Sequence, residues 1–300
     1  MKKYILFVFI LSLFLVNTLI CARLSNPAGA IRFVNDTIFN DSCFNDYWGK
    51  FDFADTANWG SNREMTETLF SKYITRSLGV DFMEMNDANN KLLSMLEKHE
   101  EAFIYFWNLY DKYYYDPDSP YRNEALYSNI LSRILKSTAI SENNKIRAMY
   151  QWQLLQKNKV GFPAEDFSFV MSSGLKRNLY SVENDFIILF FNIPDCEECI
   201  RVKKILEKWS VSLKQISVVA IYPDNDYLLW DNEEYPKEWI NGFDKEQVIL
   251  KNELYDLRAF PTIYLLDRNK RVILKDPSIA ELLGFYQNFI KQKMDDSISK

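Results

Sequence analysis

The chain has 300 residues, 48% of them hydrophobic, and a net charge of −5 from 36 basic and 41 acidic side chains. That is apolar material enough for one large or two small domains, and too much for a disordered chain. With 8 glycines and a single histidine, His99, the inventory argues against glycine-loop nucleotide folds, a Ser-His-Asp triad and a multi-histidine metal centre, and without a basic stripe nucleic acid is not an expected partner.

Lys2 and Lys3 precede an apolar run over 4–16 broken only by Ser12, which reads as an export signal over 1–22 with cleavage after Ala22. Cys21 offers a second route, lipid attachment, against which stands the bulky Ile20 before it; an uncleaved N-terminal anchor is the third. All three put the folded part outside the cytoplasm, periplasmic or envelope-associated, where disulfides can form. Residues 23–45 are rich in Asn, Asp and Ser and read as a linker, with Cys43 a free thiol or the site of an intermolecular bridge.

From 46 to 159 the spacing predicts an all-α bundle. Residues 66–78 place Leu69, Phe70, Tyr73, Ile74 and Leu78 on one stripe, and 92–114 repeat it with Leu93, Leu96, Phe103, Phe106, Trp107 and Tyr110. His99, in the run Glu97-Lys98-His99-Glu100-Glu101, falls on the solvated face of that helix, and Tyr113-Tyr114-Tyr115-Asp116-Pro117 reads first as packing between helices and second as a partner- or glycan-binding segment. Ser119-Pro120 reads as a helix start burying Leu126, Ile130, Leu131, Ile134 and Leu135. Ser141 caps a last helix with Ile146, Met149, Tyr150 and Leu154 inward, and Gly161-Phe162-Pro163 stops it.

From 160 to 294 the texture becomes α/β. A strand over 167–171, a turn at Ser172-Ser173-Gly174 and a return strand over 178–182 are followed by the continuous apolar run 186–191, a strand covered on both faces. A helix over 196–214 and a strand over 216–222 come next. Then follows an acidic stretch in which Asp231, Glu233 and Glu234 are exposed and a short helix lies near Trp239. A strand over 262–266, a hairpin turn at Asp267-Arg268-Asn269-Lys270, a strand over 271–274 and a helix over 278–294 complete a central mixed sheet with helices on both faces. Residues 295–300 form a tail.

Chemistry concentrates at Cys196-Glu197-Glu198-Cys199, directly after a buried-type strand and Pro194. Cysteines at i and i+3 in a first helical turn share a face and are close enough to bridge. Cys196 would meet the unpaired N–H groups and positive end of the helix, which favour the thiolate, the attacking form. Cys199, with Val202, Leu206 and Trp209 on its side, would be the buried, resolving thiol. The carboxylates of Asp195, Glu197 and Glu198 oppose the thiolate and act as modulators; the helix end outweighs them narrowly, which predicts a reducing rather than an oxidising bias. As half of a zinc site the motif lacks ligands, because Cys43 and His99 are the only obvious further donors and both lie in the other half; no metal and no cofactor is expected. A purely structural disulfide is the other reading, although so short a loop gains little from closure.

The companion segment Tyr255-Asp256-Leu257-Arg258-Ala259-Phe260-Pro261-Thr262 leads into Ile263-Tyr264-Leu265-Leu266-Asp267. With the cysteine pair it resembles the thioredoxin fold over 160–294. The opening Gly161-Phe162-Pro163-Ala164-Glu165-Asp166-Phe167 is similar to that of extracytoplasmic thiol–disulfide oxidoreductases of the cytochrome-maturation type. The resemblance implies that Pro261 is cis and faces the cysteines, and that Phe260 offers backbone groups to an extended substrate. Phe51-Asp52-Phe53-Ala54-Asp55-Thr56 is similar to an uncharacterised domain found ahead of thioredoxin-like domains in exported Bacteroidetes proteins. Departures from the family are Asp195 for the usual tryptophan, Phe190 for a buried acid and Val202 for a glutamate. These leave Glu198 or water as the proton acceptor for Cys199. Ile193 stands where a peroxidase of related fold would need threonine.

Two functions follow as expectations. One is a thiol–disulfide oxidoreductase acting on protein thiols and disulfides of the cell envelope, its electrons restored by an envelope or membrane donor. The other is a non-catalytic envelope scaffold whose cysteines form a staple.

Overall fold

In the computed structural model, which describes residues 46–210 and 215–298, the chain divides into two units, 1–145 and 146–300. The expected signal, Cys21, and the linker with Cys43 lie outside the described residues.

The first unit is helical: α1 (Arg63–Arg76), α2 (Phe82–Leu96), α3 (Glu100–Tyr110), α4 (Glu124–Lys136) and the start of α5 (Glu142–Gln156). Each helix buries an apolar stripe, including Phe70, Tyr73 and Ile74 on α1, Leu92, Leu93 and Leu96 on α2, Phe103, Phe106 and Trp107 on α3, and Leu126, Ile130 and Ile134 on α4. Phe106 is a hub, its ring centroid 5.2 Å from Trp48, 5.5 Å from Phe53 and 6.0 Å from Phe70. The buried Asn89 Oδ1 accepts from the hydroxyls of Tyr73 at 3.0 Å and Tyr110 at 2.7 Å.

Four expectations for this half are corrected. The stripe over 92–114 belongs to two helices broken at 97–99, so His99 is the residue ahead of α3 and not part of a helix face. Glu100 and Glu101 favour a new helical start there because their charges suit its positive end. Ser119-Pro120 forms a turn, and α4 is capped by Asn123, whose side-chain oxygen accepts from the Leu126 N–H at 3.0 Å. Leu78 sits in a short 3-10 turn after α1 and is exposed. On α5 the buried face is Ala148, Gln151, Leu154 and Leu155, while Ile146, Met149 and Tyr150 are exposed. A spacing of three and four fits two adjacent stripes of one helix, and only packing chooses between them.

The second unit holds a seven-stranded mixed sheet in the order β2-β1-β5-β4-β3-β6-β7. The strands are β1 (Ser168–Met171), β2 (Lys176–Asn178), β3 (Phe186–Phe191), β4 (Ile216–Tyr222), β5 (Ile240–Phe243), β6 (Thr262–Asp267) and β7 (Val272–Lys275). β3 runs parallel to β4 and antiparallel to β6, with Phe191 opposite Ile221 on one side and Thr262 on the other. Strand alternation sorts its apolar run between two cores. Ile187, Leu189 and Phe191 pack with Phe167, Phe169, Tyr255 and Tyr264. Ile188 and Phe190 pack on the opposite face with Val202 and Leu206 of α6 (Glu197–Ser210) and Leu282 of α9 (Ile279–Ile298).

Here too the structure differs from the sequence expectations. The return strand is β2, earlier than 178–182, and Leu179–Ser181 is a 3-10 turn closed by the Asn178 side chain. The short helices are α7 (Tyr227–Asp231) and α8 (Val248–Lys251), while Trp239 is buried at a turn leading into β5. α9 continues to Ile298, into the stretch read as a tail. β5 itself was not expected, because it lies in the stretch after β4 that reads as irregular, and its Asn241-Gly242 pair is more usual in turns than in strands. In the sheet Asn241 accepts the Trp230 indole N–H at 2.8 Å. A Cβ at Gly242 would stand 2.4 Å from the Phe169 ring and 2.7 Å from Ile221 Cδ1, so only glycine fits this interior strand.

Candidate functional site

β3 and β4 are parallel, so the loops after both leave the sheet at one edge. Asn192, Ile193, Pro194 and Asp195 carry the chain from the end of β3 to α6. Asp195 takes a left-handed backbone, φ 63°, a conformation that aspartate tolerates better than most residues. Cys196 then stands at the capping position of α6: its carbonyl accepts from the Ile200 N–H at 2.9 Å, and its Sγ accepts from the Cys199 N–H at 3.2 Å. The sulfur thus occupies the place where a helix start offers unpaired N–H groups.

The second wall is the loop before β6. Its Phe260–Pro261 peptide is cis, and the Cys196 thiol donates to the Phe260 carbonyl at 3.7 Å. Asp256 and Arg258 form a two-pronged pair with both contacts at 2.8 Å, and Thr262 Oγ1 donates to the Ala259 carbonyl at 2.7 Å. These bonds brace the segment from within. Tyr255 donates to the Glu165 carbonyl at 2.6 Å and packs edge-on against Phe167. The two segments that carried the family resemblance therefore meet in one core, and Cys196, Phe260 and Pro261 come together as expected neighbours.

Cys196 is partly exposed and Cys199 is buried, with 3% of its surface accessible. Both are free thiols in the structure. Burial pushes the Cys199 thiol up to about 12, the adjacent Cys196 sulfur adds to the rise, and the Ile193 amide opposes it. Asp195, Glu197 and Glu198 are exposed at the rim. Glu198 is engaged by Arg201, whose Nε donates to it at 2.7 Å, and that guanidinium holds the carboxyl below its usual range. Its outward pairing leaves Glu198 unsuited to receive the Cys199 proton. Phe190 is fully buried against Trp239 and Val202.

Two further residues of this region, Asn192 and Tyr235, carry no motif in the sequence. Asn192, buried at the end of β3, points its amide N–H towards the carbonyls of Phe190 and Ile221, and its oxygen accepts from the Tyr235 hydroxyl at 2.6 Å. A polar residue closing an apolar run was the one available signal for Asn192; for Tyr235, 43 residues away, there was none. Among the described residues no group of histidine, cysteine and carboxylate side chains could hold a metal, and no helix is long and apolar enough to cross a membrane.

Residues 43–158 match a family model described as a domain of unknown function, DUF5106. A crystal structure of a thioredoxin-like protein from Bacteroides caccae is similar to 87% of this chain and 98% of its own, at 31% identity and a TM-score of 0.75. The C-terminal domain of an uncharacterized protein from Bacteroides fragilis is 38% identical over 43% of this chain and 96% of its own, with a TM-score of 0.41. A domain of a possible thiol-disulfide isomerase from Cytophaga hutchinsonii is 26% identical over 47% of this chain and 97% of its own, with a TM-score of 0.38. No curated protein matches the chain.

Proposed function

The chain belongs to the thioredoxin-like proteins, and on that premise we propose that it is a thiol–disulfide oxidoreductase working through Cys196 and Cys199. The observation that carries this reading is the placement of one half-exposed sulfur: Cys196 Sγ caps α6 and lies 3.7 Å from the carbonyl beside cis-Pro261, with the buried Cys199 amide 3.2 Å behind it. A structural staple would have no use for a reachable sulfur against the main chain of a second loop.

The exchange proceeds in two displacements. The Cys196 thiolate attacks one sulfur of a substrate disulfide; a Cys196–substrate S–S bond forms and the other substrate sulfur leaves as a thiolate. The helix-end amides stabilise the attacking anion. Cys199 then gives its proton to solvent and attacks Cys196 Sγ, forming the Cys196–Cys199 disulfide and releasing the second substrate sulfur. Two electrons have passed to the substrate, so a dithiol reductant must restore the pair. An extended substrate segment would lie along the Phe260 main chain. The rim carboxylates of Asp195, Glu197 and Glu198 temper the thiolate and favour the reducing direction. The substrates are disulfide-bearing proteins of the cell envelope, met outside the cytoplasm, and the donor is a membrane or envelope protein.

Trapping tests the reading. With Cys199→Ser, the first displacement stalls, and mixed disulfides to envelope proteins accumulate on non-reducing gels. With Cys196→Ser they do not form. Equal trapping by both variants, or by neither, overturns the assignment.

A further inference from the structure

Cys199 must lose a proton before it can resolve a mixed disulfide, yet it is buried, and the groups that act on it are Cys196, the Ile193 amide and its own amide, with no carboxylate among them. One polar side chain reaches the same interior from another element. Tyr235 packs on the core formed by Phe190, Val202, Leu206 and Trp239, and helical spacing puts Val202 and Leu206 on the side of α6 that carries Cys199. Lys203, four residues beyond Cys199 and so on the same side of the helix, clamps the 233–235 segment. Its ammonium lies 5.1 Å from the Tyr235 ring centroid, pairs with Glu233 and donates to the Glu234 carbonyl at 2.9 Å. Asn192, its amide oriented by two strand carbonyls, holds the Tyr235 hydroxyl at 2.6 Å. The charges and titratable groups facing this phenol are Glu233, Cys199, Tyr222 and Lys203. Burial, with Glu233, keeps it protonated, hence a donor and not a base.

We propose that Tyr235 is the positioning residue for the resolving step: its hydroxyl, held by Asn192 in the reduced protein, turns to donate to the Cys199 thiolate as that thiol loses its proton. The proton itself goes to water. The thiolate so stabilised attacks Cys196 Sγ, the Cys196–Cys199 bond forms, and the bond from Cys196 to the substrate sulfur breaks. A hydrogen bond to the charged form favours that form, so the hydroxyl lowers the pH at which resolution becomes fast.

This inference rests on the exchange chemistry proposed above, and its test separates the two. The full chain carrying serine at positions 21 and 43 is reduced and mixed with an aromatic disulfide whose released thiol is coloured. A first release reports attack by Cys196 and a second reports resolution by Cys199. For Tyr235→Phe, the pH profile of the second release moves up by about one unit, roughly tenfold slower at a given pH, with the first release unchanged. Site-specific fluorotyrosine at 235, a more acidic donor, moves the second profile the opposite way. A second-release profile for Tyr235→Phe that superimposes on the parent, or a loss shared equally by both releases, overturns the role of Tyr235 while leaving the exchange reading standing. Absence of a second release in the parent overturns both.

Discussion

The two units treat their polar atoms differently. In the helical unit several buried polar side chains bond to one another: Tyr73 and Tyr110 both donate to Asn89, and the Trp107 indole donates to the Tyr127 hydroxyl at 3.0 Å. Its rings interlock around Phe106, and the bonds just named run from side chain to side chain within that interior. In the second unit β3 ends at Phe191 and the chain turns into α6, whose first amides need partners from outside the helix ladder. Cys196 sits at that turn, its sulfur shared between the Cys199 amide and the Phe260 carbonyl. The contrast is one of partners: inside the helical unit side chains satisfy side chains, whereas at the end of β3 a side chain meets main-chain groups.

That contrast can be broken or sharpened. The largest stability effect belongs to the helical unit: Phe106→Ala, which removes the hub of the ring cluster, lowers unfolding stability by about 4 kcal/mol. Denaturant unfolding measures the loss, and the rate of Cys196 alkylation per folded molecule stays at the parent value; a parallel fall in thiol reactivity would erase the distinction between the units. Gly242→Ala follows, at about 3 kcal/mol, because its methyl would collide with Phe169 and Ile221 inside the sheet. Here reactivity changes together with stability, since β5 pairs directly with β4, at whose edge the site lies.

The smallest effect is an alkaline one. Burial holds the Cys199 thiol at about 12 in the folded protein, against roughly 8.5 in an unfolded chain. The folded form therefore keeps a proton that the unfolded form has shed. The contribution is fully present below about pH 8.5 and is lost as pH rises towards the folded value. Between about pH 7 and about pH 10 the reduced parent loses about 1 to 2 kcal/mol more than Cys199→Ala does, as read from paired denaturation curves. Identical curves for the two proteins would mean that Cys199 is not shielded from water.

Alternation and helical spacing are local rules, so β3, β4 and the interior residues of α1, α3 and α4 could be read directly from the order of the amino acids. The cysteine pair was legible as a local motif at a helix start, whereas the place of the Phe260-Pro261 loop opposite it came from the resemblance to the thioredoxin fold. Other features depended on partners distant in the chain. Asn241-Gly242 has the composition of a turn and becomes an interior strand because Phe169 and Ile221 close over a position without a side chain. Ile146 and Ala148 obey equally good stripes on α5, and burial chose the second. Ser119 and Asn123 are both fit to cap a helix; Asn123 does so because its oxygen meets the Leu126 amide.

The amino-acid order by itself determined most of the helical and extended segments and where a cysteine pair would fall at a helix start, because those properties depend on neighbours a few positions away. Only the tertiary structure decided that the Cys196 sulfur meets the Phe260 carbonyl and that the Tyr235 hydroxyl donates to Asn192. Hydrogen bonds between residues 64 and 43 positions apart are consequences of packing, and local patterns carry no record of them.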